Sequence, residues 1–169
     1  PHTKIINLIE EGKVCLDVGC ASAYIARELN KKRCITFGIE VDPELVVEAQ
    51  KYCKDVIEAD IEKLRSLPPS WPNKFDVIIL SDILEHLSRP DIVLYRLRRF
   101  VKPDGCVIAS IPNIARIEIR LKLLLGSFEY SRSGILSKSH LRFFTLKSAK
   151  KLFEITGYKI EKIDYTGLG

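Results

Sequence analysis

The sequence has no long apolar segment and no paired cysteine motif. No apolar run approaches the ~18 residues that a membrane-spanning helix needs, and no signal-peptide pattern opens the chain. Its five cysteines are odd in number and include no C-x-x-C pair, which argues against a disulfide framework and a cysteine metal site. Several lie in apolar surroundings, as small core residues do in the reducing cytosol. We therefore predict a cytoplasmic protein without a metal site.

Internal repeats and low-complexity segments are also missing. The 169 residues are enough for one domain with a single core, and the shares of hydrophobic (46%) and charged (29%) residues are ordinary for a globular protein. Because Pro1 is not a natural first residue, we expect a further piece ahead of it. The sequence predicts one domain over residues 1–169.

The net charge of +5 is concentrated in the last third of the chain. Residues 1–112 carry 16 Lys and Arg against 17 Asp and Glu, whereas residues 113–169 carry 11 against 5. A basic surface attracts anionic partners, so we expect an anionic small-molecule acceptor, with a merely solvated basic face as the alternative. The cations that could hold its phosphate or carboxylate are Arg116, Arg120, Arg132, Lys138 and Arg142.

Predicted strands and helices alternate along the chain. The strands are predicted at 14–18, 35–40, 55–59, 75–80, 105–111 and 158–164, with a turn at 102–105. The helices between them are predicted at 3–11, 22–30, 43–52, 90–100 and 146–156. This alternation indicates parallel strands with helical crossovers, and the Val- and Ile-rich strands suit a sheet covered on both faces. Residues 112–144 interrupt the alternation with a helix at 114–125 and an irregular Ser- and Gly-rich stretch, which is often functional.

The first strand–helix turn is poor in glycine. A dinucleotide site uses three glycines so that backbone can approach a pyrophosphate, but here only Gly19 is present, and Asp17 would repel phosphate. Glu40 ends the second strand 21 positions after Gly19, which is the place of a carboxylate that holds ribose hydroxyls. The pattern predicts a cationic nucleoside cofactor without phosphate, S-adenosylmethionine, with S-adenosylhomocysteine as its product.

The loop Asp17-Val18-Gly19-Cys20-Ala21-Ser22-Ala23 resembles the D-x-G-C-G-x-G loop of class I S-adenosylmethionine-dependent methyltransferases, in their small-molecule branch. Ala59-Asp60-Ile61, residues 75–82 with 85–87, and residues 97–111 resemble later motifs of that family, and 140–145 resembles a segment of members from sugar and envelope-polysaccharide pathways. The resemblance spans roughly residues 13 to 165. It implies a Rossmann-like, doubly wound α/β sheet of six or seven mostly parallel strands with helices on both faces, and a substrate lid at 112–144.

The resemblance and the sheet topology together assign site residues. Ligands bind beyond the carboxyl ends of parallel strands, where Glu40 would hold the ribose, Asp60 and the Ile61 backbone the adenine, and Asp17 would face the positive end of the cofactor. The other residues expected around the cofactor are Gly19, Cys20, Ala21, Tyr24, Val41 and Ser81. The alternatives are a surface carboxylate for Glu40, a helix cap for Asp60 and a structural role for Asp17.

Catalysis of methyl transfer is mainly the alignment of nucleophile, methyl group and sulfur. A hydroxyl acceptor also benefits from a general base, for which His86 is the first candidate and His140 the second, although either histidine could be structural. Asp82 and Glu85 would orient His86 or cap the short helix there.

We predict methyl transfer to an O or N atom of a sugar-, nucleotide- or lipid-linked small molecule. An RNA methyltransferase is the first alternative, favoured by the basic C-terminal part and weakened because Ser81-Asp82-Ile83-Leu84 stands where an N-P-P-Y-like tetrapeptide would be expected. A non-catalytic binding module that keeps the fold is the second, motivated by Ala21 and Ala23 in the loop.

Overall fold

The computed structural model describes residues 2–64 and 67–165. They form two compact units. Of the described residues, the first unit comprises those up to Ile83 together with Arg96–Ser110, and the second comprises Leu84–Tyr95 and those from Ile111 to Tyr165. The predicted lid at 112–144 lies within the second unit.

The first unit is built on a parallel sheet. Its strands are β1 (Val14–Val18), β2 (Ile35–Glu40), β3 (Asp55–Glu58), β4 (Phe75–Ser81) and β5 (Val101–Ser110). They are ordered β3-β2-β1-β4-β5, and every neighbouring pair is parallel. From β1 the chain adds β2 and β3 on one side of the sheet, and it then adds β4 and β5 on the other side of β1. The carboxyl ends of all five strands lie along one edge.

The helices are close to the predicted ones. They are α1 (His2–Leu8), α2 (Tyr24–Asn30), α3 (Pro43–Ala49), α4 (Pro90–Leu97), α5 (Ile117–Leu124) and α6 (Leu146–Ile155), with one 3-10 turn at Leu84–His86. Local chemistry fixes two starts. Asp42 Oδ1 accepts the Glu44 N–H at 2.9 Å ahead of α3, and Thr145 and Ser148 form a capping box ahead of α6.

Apolar side chains of α1 and α2 cover one face of the sheet. Ile5, Ile25 and Leu29 pack with Cys15 and Ile79. A second cluster joins α2 and α3 beside β2 and β3 and is made of small side chains: Cys20, Ala23, Ala26, Val46, Ala49, Cys53 and Val56. Small residues let these helices approach the strands closely, which fixes the positions of the loops after β1 and β2.

Two sequence predictions are wrong in detail. Residues 158–164 belong to no strand, so the described residues form a five-stranded sheet rather than one of six or seven. Residues 161–165 are exposed, and an alternating pattern becomes a strand only where a neighbour pairs with it. The predicted turn at 102–105 is an irregularity inside β5, whose Val101 pairs with Phe75 and whose Cys106 already pairs with Val77.

No helix within the described ranges combines the length and the apolar composition required to cross a bilayer.

Candidate functional site at the carboxyl edge of the sheet

Glu40 fastens the loop after β1 to the end of β2. Its Oε2 accepts the Ala21 N–H at 2.8 Å, and its Oε1 accepts the N–H groups of Val41 at 2.8 Å and Asp42 at 3.1 Å. The side chain is buried, with the residue 7% exposed. A carboxylate has about four lone-pair sites, and three backbone donors use three of them. A ribose whose hydroxyls bind both oxygens of Glu40 would therefore have to displace the longest of these hydrogen bonds, the one from the Asp42 N–H.

The loop after β1 has the shape that its glycine and alanines impose. Gly19 has a φ of 72°, Ala21 of 47° and Ala23 of 58°, so the two alanines adopt the left-handed conformation that glycine favours. A Cβ on Gly19 would lie 2.8 Å from Ile83 Cδ1. The alanines thus preserve the backbone path of a glycine loop at a cost in strain.

The backbone donors of this loop are directed at the protein. The N–H groups of Gly19 and Cys20 donate to the Ile39 carbonyl at 2.8 and 3.2 Å, while the Ala21 N–H donates to Glu40. A pyrophosphate site needs such donors turned towards the ligand, and here they hold β2 instead. The geometry argues against a phosphate at this turn.

Asp17 is a buried carboxyl group on β1. It is 2% exposed and pairs in register with Gly38 of β2 and Ile79 of β4. Burial, together with the nearby negative charge of Glu40, raises the pKa of Asp17 to about 7. The group is therefore about half ionised at pH 7 and gains a full negative charge only at higher pH unless a cation lies beside it.

Cys20 points its side chain away from the edge. Its thiol forms a hydrogen bond with Cys53, and burial also raises the pKa of the Cys20 thiol. The two sulfur atoms lie over Gly38, where a Cβ would be 2.7 Å from Cys20 Sγ and 3.5 Å from Cys53 Sγ. Of the predicted site residues, Cys20 can therefore offer its backbone but not its thiol.

Asp60 accepts hydrogen bonds in the turn after β3, where the alternative interpretation expected a helix cap but the described residues form no helix. Its Oδ1 accepts the Glu62 N–H at 3.0 Å and its Oδ2 lies 3.0 Å from Lys63 Nζ. Burial raises the pKa of Asp60, but the hydrogen bonds from Lys63 and Glu62 outweigh it and leave the pKa below its ordinary value. Ile61 is buried beside Asp60. Val41, next to Glu40, is 61% exposed, so its apolar side chain is available to pack against a nucleobase.

The ends of β4 and β5 form a polar cluster that the sequence did not predict. The Asp82 N–H donates to the Ser110 carbonyl at 3.2 Å and Ser110 Oγ donates to Asp82 Oδ1 at 2.9 Å. Ser81 Oγ lies 3.3 Å from Ser110 Oγ, and Asp82 has a φ of 52°. Strained non-glycine residues concentrate at functional sites. Only the pairing of β4 with β5 brings Ser110 here.

Tyr24 begins α2 and is a partly exposed aromatic residue. The His2 ring lies 5.8 Å from it, and the Arg27 guanidinium carbon lies 5.3 Å from its centroid. His2 Nε2 is also 4.0 Å from Asp82 Oδ2. No local pattern in the sequence indicates that His2 lies at this edge.

His86 and His140, the predicted bases, are neighbours in the second unit. Their ring centroids are 4.8 Å apart at an interplanar angle of 83°. His86 Nδ1 lies 3.0 Å from the Ser139 carbonyl oxygen, and His140 Nδ1 lies 2.9 Å from that of Ile135. The two candidates are thus one cluster rather than alternatives, and Glu85 beside them is buried.

The predicted anion-binding cations have varied surroundings. Arg116 pairs with Glu118 at 3.2 Å, and Arg142 Nε donates to the Ser88 carbonyl at 3.1 Å. Arg120, Arg132 and Lys138 are exposed. Phe144, two positions after Arg142, is buried.

The sheet is open and parallel, its strand order reverses beside a glycine turn, and its second strand ends in a buried glutamate. These features are typical of nucleoside-binding α/β domains. A family model described as a methyltransferase domain matches residues 3–163, and the chain belongs to that family. The predicted methyltransferase superfamily and the Rossmann-like α/β fold class are confirmed.

Individual relatives share part of the chain. The ubiquinone biosynthesis O-methyltransferase of Methylococcus capsulatus is 29% identical over 105 residues, which are 60% of this chain and 44% of that protein. The chain spans about half the length of the curated relatives it matches.

Solved structures share the fold. A SAM dependent methyltransferase from Archaeoglobus fulgidus has a TM-score of 0.71 at 17% identity, covering 99% of this chain and 77% of that one. Haemonchus contortus phosphoethanolamine N-methyltransferase 2, solved with S-adenosyl-L-methionine, has a TM-score of 0.64 at 16% identity, covering 92% and 35%.

Proposed function

We propose that this chain binds S-adenosylmethionine at the carboxyl edge of its sheet and transfers the methyl group to an oxygen atom of a small-molecule acceptor. The observation that carries the proposal is the triple backbone attachment of buried Glu40. It holds a carboxylate at the end of β2, where α/β proteins bind ribose hydroxyls.

The residues of the edge fit this cofactor. Glu40 would receive the ribose, Val41 would pack against the adenine, and Asp60 with the Ile61 backbone would bind its polar edge. Asp17 would face the positive charges. When bound, the cofactor supplies an electrophilic methyl group on a sulfonium. The protein contributes position and a dry, negatively charged surrounding. Gly19, Ala21, Tyr24, Ser81 and the Cys20 backbone complete the proposed site.

The acceptor is proposed from two features. The Methylococcus capsulatus relative named above is a ubiquinone biosynthesis O-methyltransferase, which favours a hydroxyl group. Residues 113–169 carry 11 Lys and Arg against 5 Asp and Glu, which favours an anionic acceptor such as a sugar-, nucleotide- or lipid-linked molecule.

Residues 112–144 are proposed as the substrate lid. The end of α5 leaves Leu124 and Leu125 more than 80% exposed, and such adjacent apolar side chains suit contact with an apolar part of an acceptor.

A hydroxyl acceptor must lose its proton, and His86 and His140 are the proposed groups for that step. Both rings direct Nδ1 at a backbone carbonyl, so Nε2 is the nitrogen that would accept a proton.

Calorimetry and product detection test the proposal. S-adenosylmethionine and S-adenosylhomocysteine should each bind one site, and Glu40→Ala should weaken both. Incubation with S-adenosylmethionine and a panel of phenols, sugars and nucleotide sugars should release S-adenosylhomocysteine with one hydroxyl class only. Absence of binding at millimolar cofactor would contradict the proposal.

The alternatives have separate signatures. An RNA methyltransferase would bind RNA with an affinity that falls steeply with salt. A binding module would bind the cofactor without releasing S-adenosylhomocysteine with any acceptor.

A further inference from the structure

Three side chains of the second unit bring possible ligand atoms together. Glu85 and His86 lie in the 3-10 turn, and His140 lies far along the chain. One ligand atom from each of the three lies within 4.8 Å of the others. Two imidazoles and a carboxylate are the donor set of many zinc and other transition-metal sites.

The hydrogen bonds of the two histidines fix which nitrogen can bind an ion. A backbone carbonyl only accepts hydrogen bonds, so the contacts of His86 Nδ1 with Ser139 O and of His140 Nδ1 with Ile135 O place a proton on each Nδ1. The neutral ring then carries its lone pair on Nε2. Metal-binding histidines are oriented in the same way, by a second contact through the other nitrogen.

The backbone holds the three residues in place. The Glu85 carbonyl accepts the N–H groups of Leu141 at 2.8 Å and Arg142 at 3.0 Å. Arg142 Nε donates to the Ser88 carbonyl at 3.1 Å. The turn that carries Glu85 and His86 is therefore attached on both sides to the segment that carries His140. Such rigid support is what a preorganised ligand set requires.

The carboxyl group of Glu85 belongs to a residue that is 2% exposed. Placing a cation beside a buried carboxylate offsets the cost of removing its charge from water. Metal–nitrogen and metal–oxygen bonds of about 2.0–2.2 Å require the three ligand atoms to move closer together when an ion binds.

We propose that Glu85, His86 and His140 form a binding site for one divalent transition-metal ion of the zinc class. Nitrogen ligands favour such an ion over magnesium or calcium, which prefer oxygen. Three protein ligands leave at least one coordination position for water or another oxygen ligand. The sequence predicted no metal because 53 residues separate His86 from His140, and no spacing motif covers such a gap.

One consequence rests on the proposed function. An ion with an open position lowers the pKa of a bound hydroxyl group, so the hydroxyl proton would pass to bulk water, and the histidine Nε2 atoms would bind the ion instead of accepting that proton.

Metal content and cobalt spectroscopy test the site without cofactor. The chelator-treated protein, dialysed against zinc and then against buffer, should retain one zinc per chain. His86→Ala, His140→Ala and Glu85→Gln should each weaken zinc binding by roughly 100-fold, whereas the matched variant His2→Ala should retain it. Circular dichroism would show which of these variants fold. His140→Gln is used in place of any variant that does not fold.

Cobalt(II) distinguishes this site from the cysteines. The wild-type spectrum should show visible ligand-field bands without the near-ultraviolet band of cobalt–thiolate bonds, and His140→Gln should abolish it. A thiolate band, zinc retained by all three ligand variants, or no stoichiometric zinc in the wild type would overturn the proposal. Calorimetry of the metal-free protein with S-adenosylmethionine tests the proposed function separately, because the Glu40 site includes none of these ligands.

Discussion

Glu40 Oε2 accepts the backbone N–H of Ala21 at 2.8 Å, which ties the end of β2 to the turn after β1. The two residues are 19 positions apart, and the contact exists because β1 and β2 are parallel neighbours with Val18 opposite Ile39. One carboxylate therefore has two tasks, since it shapes the loop and is the proposed ribose ligand.

Replacing Glu40 should affect cofactor binding more than folding. Glu40→Gln keeps one oxygen acceptor for the backbone donors but loses the charge that strengthens hydrogen bonds to ribose hydroxyls. We expect the Kd for S-adenosylhomocysteine to rise at least tenfold, with a loss of about 1–2 kcal/mol in the free energy of unfolding, measured by calorimetry and urea denaturation.

Glu58→Gln is the matched control for that variant. Glu58 pairs with Glu40 in register at the end of β3 and is exposed. It should leave both quantities unchanged. Equal effects of Glu40→Gln and Glu58→Gln would show that cofactor binding depends on the overall charge of the chain and not on a carboxylate at Glu40.

The buried Asp17 should make stability depend on pH. Its pKa is about 7 in the folded chain against 3.8 as the ordinary value, so the folded state holds a proton that the unfolded state has lost. Stability should fall as pH rises from 4 to 7 and then level off. Relative to Asp17→Asn, the wild type should lose up to about 4 kcal/mol over this range, measured by urea denaturation at pH 4.5 and 8. A constant difference would contradict the burial argument.

The same carboxyl group should make cofactor binding depend on pH. A cationic ligand favours ionised Asp17, which must release its proton below pH 7. The affinity for S-adenosylmethionine should therefore rise about tenfold between pH 5.5 and 7.5, with proton release visible in calorimetry across buffers. Adenosine, which has no charge, should show no such change, and Asp17→Asn should abolish it for S-adenosylmethionine.

Ala21 should be improved by glycine. Its φ of 47° costs an alanine energy that glycine does not incur, and its side chain is exposed, so little packing is lost. Ala21→Gly should raise the free energy of unfolding by up to about 1 kcal/mol, measured by thermal and urea denaturation. The neighbouring exposed Ser22→Gly should lower it instead. A loss of stability in both would show that the loop is not strained at Ala21.

Gly105 should not tolerate a side chain. A Cβ there would lie 2.8 Å from the Asp76 carbonyl oxygen and 2.9 Å from that of Phe75, so backbone of β4 would have to move. Gly105→Ala should cost about 2–4 kcal/mol of stability. Gly126→Ala meets nothing within 4 Å but has a φ of 76°, and should cost only about 1 kcal/mol. Urea denaturation of both variants measures this order. A smaller loss of stability for Gly105→Ala than for Gly126→Ala would show that β5 can shift to accommodate the side chain.

Much of the fold was predictable because its signals are local. Neighbouring residues determine apolar strands such as β1 and β4, and they also determine the start of α3 at Asp42 and Pro43. Residues 158–164 form no strand although one was predicted there, because whether an alternating segment pairs depends on a partner elsewhere in the chain. The part of β5 at 102–105 was also missed, because its bulge against Phe75 is a property of the pair of strands.

The sequence by itself determined the family, and it predicted the cofactor class and the carboxylates and turn of the proposed site. Residue type and spacing set where strands end, and a glutamate at such an end needs no tertiary information to be noticed. Only the tertiary structure decided which partners these groups have. It joined Glu40 to Ala21, turned Cys20 into the core, brought Ser110 to Asp82, and placed His86 beside His140. These contacts span tens of residues, and chain packing rather than local spacing creates them.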